Sequence, residues 1–398
     1  MPLYLIQVNE FLNSGFLFSS SGIGSHCTAE TLWIAWGEPE SSDQPLSDLL
    51  SVYAPDFFLE AERPWFCFRQ FQKIQRSELV RQLHQWIQTN PSLGSSPLLW
   101  RGLNFDVFRE AFIDLKKEFE VGRLIKAVPV VFDGCHWHFD LTARATVLEN
   151  LLVQTQNVPY YLYGIWGKQE GILGATPELL FEQQQQANGS SVWRSMALAG
   201  TRLKSGAGEF LEIPLLEDPK ERQEHQIVID GICSAWAPWG QAMPGRTREL
   251  DLPTLSHLYT PIWLYADQDS KRLTFVEMVK TLHPTPALGA FPKVAGMEWL
   301  RDYEKRRLAP AMDNEFSYGS IREQGRARLG APFGVLWPKG CSYELSASCV
   351  VSIRNLQWEK DQVRIGAGCG VVPASDLHRE WQELQGKIHS VKSLLGIL

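Results

Sequence analysis

The sequence predicts a layered α+β fold, and three observations carry that prediction. Short apolar or alternating runs with the look of strands recur along the chain, several of them near enough in sequence to pair antiparallel. Helical patterns, with apolar residues every three or four positions, interrupt those runs. The two kinds of element do not follow the strict alternation of strand and helix that builds a parallel, doubly wound sheet. With 398 residues the chain is long enough to bury a large core, as one body or two.

In order along the chain, strands are expected at Tyr4 to Val8 and at Leu32 to Trp36, followed by a Ser/Asp/Pro-rich loop around Glu38 to Pro45. Helices are expected over Ser77 to Gln88 and Phe105 to Phe119, with Asn90 to Pro97 as a linker between them. Further strands are expected at Leu124 to Phe132, Tyr160 to Trp166, Gly171 to Leu173, Leu179 to Gln183, Ser191 to Leu198, Leu273 to Phe275, Cys349 to Ile353 and Gln362 to Ile365. The stretch from Gln183 to Ser191 holds Asn188-Gly189, the signal of an exposed hairpin connection. Asp218 and Pro219 supply an N-cap and a first-turn proline for a helix running to Asp230. The last helix is marked by one stripe of Leu377, Trp381, Leu384, Ile388, Val391 and Leu395, and a flexible glycine loop around Gly366 to Gly370 leads into it.

A formal net charge of −7, with no dense Lys/Arg block, argues against a nucleic-acid surface and leaves small molecules or proteins as partners. Seven scattered cysteines form no Cys-x-x-Cys unit, and their odd number leaves at least one free, which suggests a reducing compartment. No apolar run approaches the ~18 residues of a membrane span, and the amino terminus lacks a basic and then apolar leader. The expectation is a cytoplasmic protein with no membrane partner.

Several residues stand out as carriers of chemistry. Lys126 lies among Leu124, Val128, Val130 and Phe132 on one face of its expected strand. It either snorkels to solvent or is desolvated, and a desolvated lysine can serve as a general base. Glu178 follows a Pro break ahead of Leu179; on a wet face it is an ordinary strand residue, while burial would suit it to act as an acid. Glu224 puts a carboxylate on the apolar face of Ile227 and Val228, which is costly unless a cation meets it. Glu380, Glu383 and Lys387 line one margin of the last helix, where Glu383 and Lys387 also form a favourable i, i+4 pair. Glu224, Glu380 and Glu383 together could build a hard oxygen site for Mg2+. Two other patterns carry less. Cys135-His-Trp-His138 has no second half for a metal site, and Gly366-x-Gly368-x-Gly370 does not have the spacing of a dinucleotide fingerprint.

Taken in order, Lys126-Ala-Val, Gly174-Ala-Thr-Pro-Glu178, Ala197-Leu-Ala-Gly-Thr201, Lys220-Glu-Arg-Gln-Glu-His225, Leu255-Ser-His-Leu258, His283-Pro-Thr-Pro-Ala-Leu288, Ser352-Ile-Arg354 and Gly368-Cys-Gly through Glu383 to Lys387 resemble the chorismate-utilising enzymes. That family includes isochorismate, salicylate, anthranilate and aminodeoxychorismate synthases. The resemblance implies two large, mostly antiparallel sheets wrapped by helices, with residues 1–115 a divergent part of the fold and 116–398 the chorismate-binding catalytic domain. It implies Mg2+ held by Glu224 and Glu383, with Glu380 ordering metal-bound water. Ala199, Gly200, Thr201, His257, Ala287, Leu288, Arg354, Gly368, Gly370 and Lys387 are implied to surround the substrate, Arg354 and Lys387 gripping its carboxylates.

Lys126 and the segment His283 to Pro292 are similar to the members that use water, closest to isochorismate synthase. The implied reaction has neutral Lys126 deprotonating a water that attacks C2 of chorismate, while protonated Glu178 donates to the departing C4 hydroxyl. Salicylate synthase, which also eliminates pyruvate, and a catalytically silent binding protein are the alternatives. No amidotransferase subunit is expected, and the chain is expected to be a monomer or weak dimer serving menaquinone, siderophore or salicylate formation. The chain departs from the family pattern after Lys126, where it reads Ala-Val-Pro-Val-Val, and between Asp302 and Leu329, with a polar insert at Asn314 to Gly325.

Overall fold

The computed structural model describes residues 7–19, 31–91, 97–185, 191–204, 213–266, 273–308, 325–338 and 345–398. Two antiparallel sheets dominate it. The first runs β6 (Gln70–Gln75), β2 (Thr31–Trp36), β1 (Gly15–Ser19), β9 (Tyr161–Trp166), β10 (Glu170–Thr176), β19 (Asn355–Glu359), β20 (Gln362–Gly368) and β8 (Val130–His136). The second runs β13 (Gly240–Pro244), β15 (Leu255–Ala266), β12 (Ser191–Leu203), β11 (Leu179–Gln185), β18 (Leu345–Val351), β17 (Pro332–Leu336), β4 (Leu50–Tyr53), β5 (Trp65–Phe68) and β3 (Glu40–Ser42), with β14 (Arg248–Asp251) also on β15. A third, two-stranded sheet joins β7 (Lys126–Ala127) to β16 (Ala290–Phe291).

Alternation along the strands explains the layering. In β1, Phe16 and Phe18 point into the core between the large sheets, against Phe333 of β17, while Leu17 points the other way. That second face is covered by helices α1 (Val8–Asn13), α2 (Arg76–Thr89), α3 (Phe105–Glu120) and α4 (Leu141–Gln154), together with the last helix. Helices α5 (Pro219–Trp236) and α6 (Phe275–Leu282) cover the outer face of the second sheet, and α7 (Lys293–Tyr303) packs on β16. The last helix, α8 (Leu377–Leu395), is capped by Asp376, which accepts from the amides of His378 and Arg379, and stopped by Gly396 at φ 67°. The layered α+β architecture with two large antiparallel sheets is therefore the one expected.

Several local expectations need correction. The run Leu124 to Phe132 is not one strand: Pro129 has no N–H for a ladder, so the chain breaks into β7 and β8, which belong to different sheets. Leu273 to Phe275 is not a strand but a helix start, where Thr274 and Glu277 form a capping box for α6. Gly366 and Gly368 are strand residues of β20, and only Gly370 lies in the irregular connection to α8. Val8, expected at a strand end, opens α1, and Tyr4 to Ile6 lie outside the described residues. The hairpin tip at 186–190 and nearly all of the polar insert at 314–325 also lie outside them, although β11 and β12 pair as the hairpin requires.

Candidate active site

The last strand, β20, and the middle turns of α8 form one wall of a cleft, faced by β12, β15 and α5. The cleft holds about 790 Å³ of space between its atoms, open solvent at its mouth included. Glu178, Ala199, Thr201, Glu224, His257, Ala287, Leu288, Arg354, Gly368, Gly370 and Lys387 line it. The structure thus brings together eleven of the fifteen residues expected at the site. Lys126, Gly200, Glu380 and Glu383 stand behind this lining.

Lys126 is the largest departure in position. Its β7 neighbour Ala127 exchanges hydrogen bonds with Val371, which stitches the segment beside the end of the glycine run. The side chain is fully buried, so the snorkelling alternative is overturned. Its Nζ lies 2.9 Å from Glu224 Oε1, and its alignment leaves the ammonium without a well-formed hydrogen bond. Gly370 closes over this pair: a Cβ there would lie 2.0 Å from Glu224 Oε1 and 2.8 Å from Lys126 Cε. Only a glycine leaves room for the contact.

Glu178 occupies the two-residue link between β10 and β11, where its amide is bound by Thr176 Oγ1 and its carbonyl by the amide of Val351. It is buried, and desolvation pushes its carboxyl up to about 8, against the opposing pull of Lys126, Lys387 and Arg354. The wet-face alternative fails here too. At neutral pH this carboxyl is mostly protonated.

Arg354 sits at a tight corner between β18 and β19 with φ at 55°, a left-handed conformation that a non-glycine residue adopts at some cost. The corner is braced by Tyr163, whose hydroxyl donates to the carbonyl of Ile353 at 2.8 Å, and by Asn355, which donates to the carbonyl of Ser352 at 2.7 Å. The guanidinium donates to Tyr160 Oη and to His257 Nε2, each at 2.6 Å. Burial, Arg354 and Lys387 drive His257 well below its ordinary value, so the ring is neutral. With Nε2 accepting from Arg354, its Nδ1 carries the proton and donates to Thr201 Oγ1 at 3.0 Å.

Helix α5 supplies the acidic side. His225 ties it to the sheet, its ring bridging the carbonyl of Ala199 at 3.1 Å and Thr260 Oγ1 at 2.7 Å. Burial pushes that imidazole down to about 4, which keeps it a neutral strut. Glu221 Oε2 accepts from the amide of Thr201 at 2.8 Å. Across from it, α8 presents Glu380 and Glu383, and Lys387 pairs with Glu383 Oε1 at 2.7 Å while donating to the carbonyl of Gly368 at 2.8 Å. The i, i+4 pair read from the sequence is therefore formed, with one further bond to the strand.

Four carboxylates, Glu221, Glu224, Glu380 and Glu383, thus crowd one end of the cleft against three ammonium groups, Lys126, Lys220 and Lys387. The excess of acid shows in their protonation. Burial opposes ionisation of Glu224, but Lys126 and Lys220 outweigh it and hold that carboxyl low. Burial pushes Glu221 up to about 7, and raises Glu380 with help from its neighbour Glu383. Glu380 Oε2 is buried without a hydrogen-bond partner, although Ser375 lies near the carboxyl. A hard oxygen donor set with one orphaned oxygen fits Mg2+. As the side chains stand, no three acidic, imidazole or thiol groups among the described residues converge closely enough to hold an ion, and Lys220 lies between Glu221 and Glu380. The tract from Cys135 to His138 is no centre either: Cys135 is buried and free, and His138 pairs with Asp361 at the surface.

Sequence reasoning did not assign Lys220, Glu221 or Arg326. The first two stood in a quoted motif, but their meeting with α8 is tertiary. Arg326, which also lines the cleft, is buried against Glu304 and over the ring of Phe57, 4.0 Å from its centroid; no local pattern announces it.

A buried acid, a guanidinium and a cradle of carboxylates thus meet around one cleft. The sequence pattern of the chorismate binding enzyme family matches residues 35–393, and the chain belongs to that family. Over 268 residues it is 29% identical to isochorismate synthase EntC of Escherichia coli (strain K12), covering 65% of this chain and 60% of that protein. The chain spans 42% to 60% of the length of the first curated relatives it matches. It shares its fold with DhbC from Bacillus anthracis, at a TM-score of 0.70 and 17% identity over 98% of both chains. The same holds for MenF, the menaquinone-specific isochorismate synthase of Escherichia coli, at a TM-score of 0.67 and 18% identity over 98% of this chain and 92% of that one. Among the described residues no helix is long and apolar enough to cross a membrane.

Proposed function

We propose that the chain converts chorismate to isochorismate by adding water at C2 and releasing the C4 hydroxyl. The observation that carries this reading is Glu178: a carboxyl held protonated by burial, in the same cleft as Arg354, Lys387 and the carboxylate cradle. Relatives named isochorismate synthase support it.

In this reading Arg354 and Lys387 hold the substrate carboxylates, Arg354 as a fork that neutral His257 and Tyr160 orient. Ala199 and Thr201, with Gly200 behind them, and the pair Ala287 and Leu288 shape the walls around the ring. Lys126 takes a proton from water as the oxygen bonds to C2, the ring double bonds shift, and the C4–O bond breaks. Glu178 gives its proton to that departing oxygen, which leaves as water. Since Lys126 is ion-paired with Glu224 here, the ammonium must first release a proton to solvent as that contact opens, and only the resulting neutral amine accepts a proton from the attacking water. Glu224 and Glu383 would hold Mg2+, with Glu380 nearby; when bound, the ion supplies positive charge that neutralises and positions a substrate carboxylate.

Chromatography of products from purified protein, chorismate and MgCl2 tests the proposal. Reversible formation of isochorismate, with no requirement for glutamine or ammonia, is expected. Salicylate with pyruvate, or an aminated ring, as main product would overturn it.

A further inference from the structure

Lys220 has a place that the reaction scheme leaves unexplained. Its backbone amide donates to the N-cap Asp218 at 3.0 Å, so the side chain leaves α5 from a fixed point. Its Nζ then lies 2.9 Å from Glu221 Oε1, 3.0 Å from Glu380 Oε1 and 3.7 Å from Glu224 Oε2. One ammonium thus bridges carboxylates from α5 and α8 at the end of the cleft where the cation of the proposed reaction would sit. Beside it lies Glu380 Oε2, buried and without a hydrogen-bond partner, an acceptor that the ammonium leaves unused. The Lys220 side chain keeps 23% of its surface exposed, whereas that of Lys126 is wholly enclosed. A path outward exists for this lysine.

We infer that Lys220 is a tethered competitor for the divalent cation: its ammonium neutralises the carboxylate cradle when no metal is bound, and Mg2+ binds by displacing it toward solvent. The inference rests on the metal assignment made under the proposed function. The physical case is one of exclusion. Both cations seek the same hard oxygens, and an ammonium left among them would repel a divalent ion at close range. Without any cation, carboxylates from two helices would face each other with their charge uncompensated. A resident lysine keeps the two helices together and sets a threshold that Mg2+ must exceed.

The test is binding of Mg2+ alone to the full chain, by isothermal titration calorimetry and by the rise in melting temperature that Mg2+ produces. Lys220→Met keeps the stem and removes the charge. It is expected to bind Mg2+ on the order of ten-fold more tightly than the unaltered chain, and to gain more melting temperature from it. Lys220→Arg keeps the charge and is expected to bind as the unaltered chain does, within about three-fold. If the Met variant fails to fold without metal, Lys220→Gln is measured in its place. Equal or weaker Mg2+ binding by the neutral variant overturns the inference while leaving the metal site intact. Absence of Mg2+ binding by every form overturns the metal assignment itself.

Discussion

Replacing Glu178 with Gln removes the proposed proton donor while keeping nearly the same volume and a polar end. The carboxyl is pushed up to about 8 by burial, so at pH 7 roughly nine in ten molecules carry its proton, and at pH 9 roughly one in ten. The active form is the protonated one. Turnover should therefore be insensitive to this group below about pH 7 and fall about ten-fold per pH unit well above 8. Glu178→Gln should lower kcat by roughly 10²- to 10⁴-fold with a smaller change in KM, and the alkaline limb assigned to Glu178 should disappear. Stability carries a second sign. A carboxyl whose folded value lies above its unfolded one weakens the fold as pH rises from about 4.5 to about 8, by an amount on the order of a few kcal/mol. The Gln variant should lose that dependence and melt higher than the unaltered chain at pH 9. Steady-state assays from pH 6 to about 10 together with thermal melts read both effects. A Gln variant that keeps most of its turnover, or keeps the same alkaline limb, would refute the assignment of Glu178 as the acid.

The remaining predictions concern the groups around it. Lys126→Met leaves Glu224 buried without its closest partner and should cost about 3 kcal/mol of stability, near the low end for a broken buried pair because Lys220 remains 3.7 Å away. It should also abolish water addition; a variant with full activity would remove Lys126 as the base. Gly370→Ala places a methyl group 2.0 Å from Glu224 Oε1, so it should lower stability by about 1–3 kcal/mol and weaken Mg2+ binding in calorimetry. Unchanged melting and unchanged affinity would contradict that packing. Arg354→Lys loses the fork that meets Tyr160 and His257 and should raise KM about ten-fold or more, with a smaller effect on kcat. An unchanged KM would separate Arg354 from substrate binding.

What the sequence made legible follows from how local each signal is. The α5 start at Asp218 and Pro219 and the stripe from Leu377 to Leu395 are periodic and capped, and both helices form with those features in place. The strand from Tyr161 to Trp166 is a continuous apolar run and is equally plain. Strands β3 to β6, β13, β14, β16 and β17 are short or mixed in pattern, and their pairing in the sheets fixes them; β15, twelve residues rich in Leu, Tyr, Ile and Trp, carries a local strand signal that sequence reasoning did not assign. Leu273 to Phe275 misleads because these strand-prone residues overlap a capping box, with Thr274 as its N-cap, that favours a helix. At the site, the depth of Lys126 and Glu178 could be posed only as a choice, since burial depends on what packs from elsewhere. The resemblance pointed to both residues, and the fold encloses both. It gave no sign that Lys126 would lie behind Glu224, or that Lys220 would stand among the carboxylates.

The central claim is that solvent water supplies the new hydroxyl while the C4 oxygen departs. Mass spectrometry of isochorismate formed in H2 18O tests this most directly. The account predicts one 18O atom in the first-formed product, located at C2, and loss of that product with Lys126→Met. Isochorismate whose C2 oxygen is unlabelled, carried over from C4 within the same molecule, would contradict it.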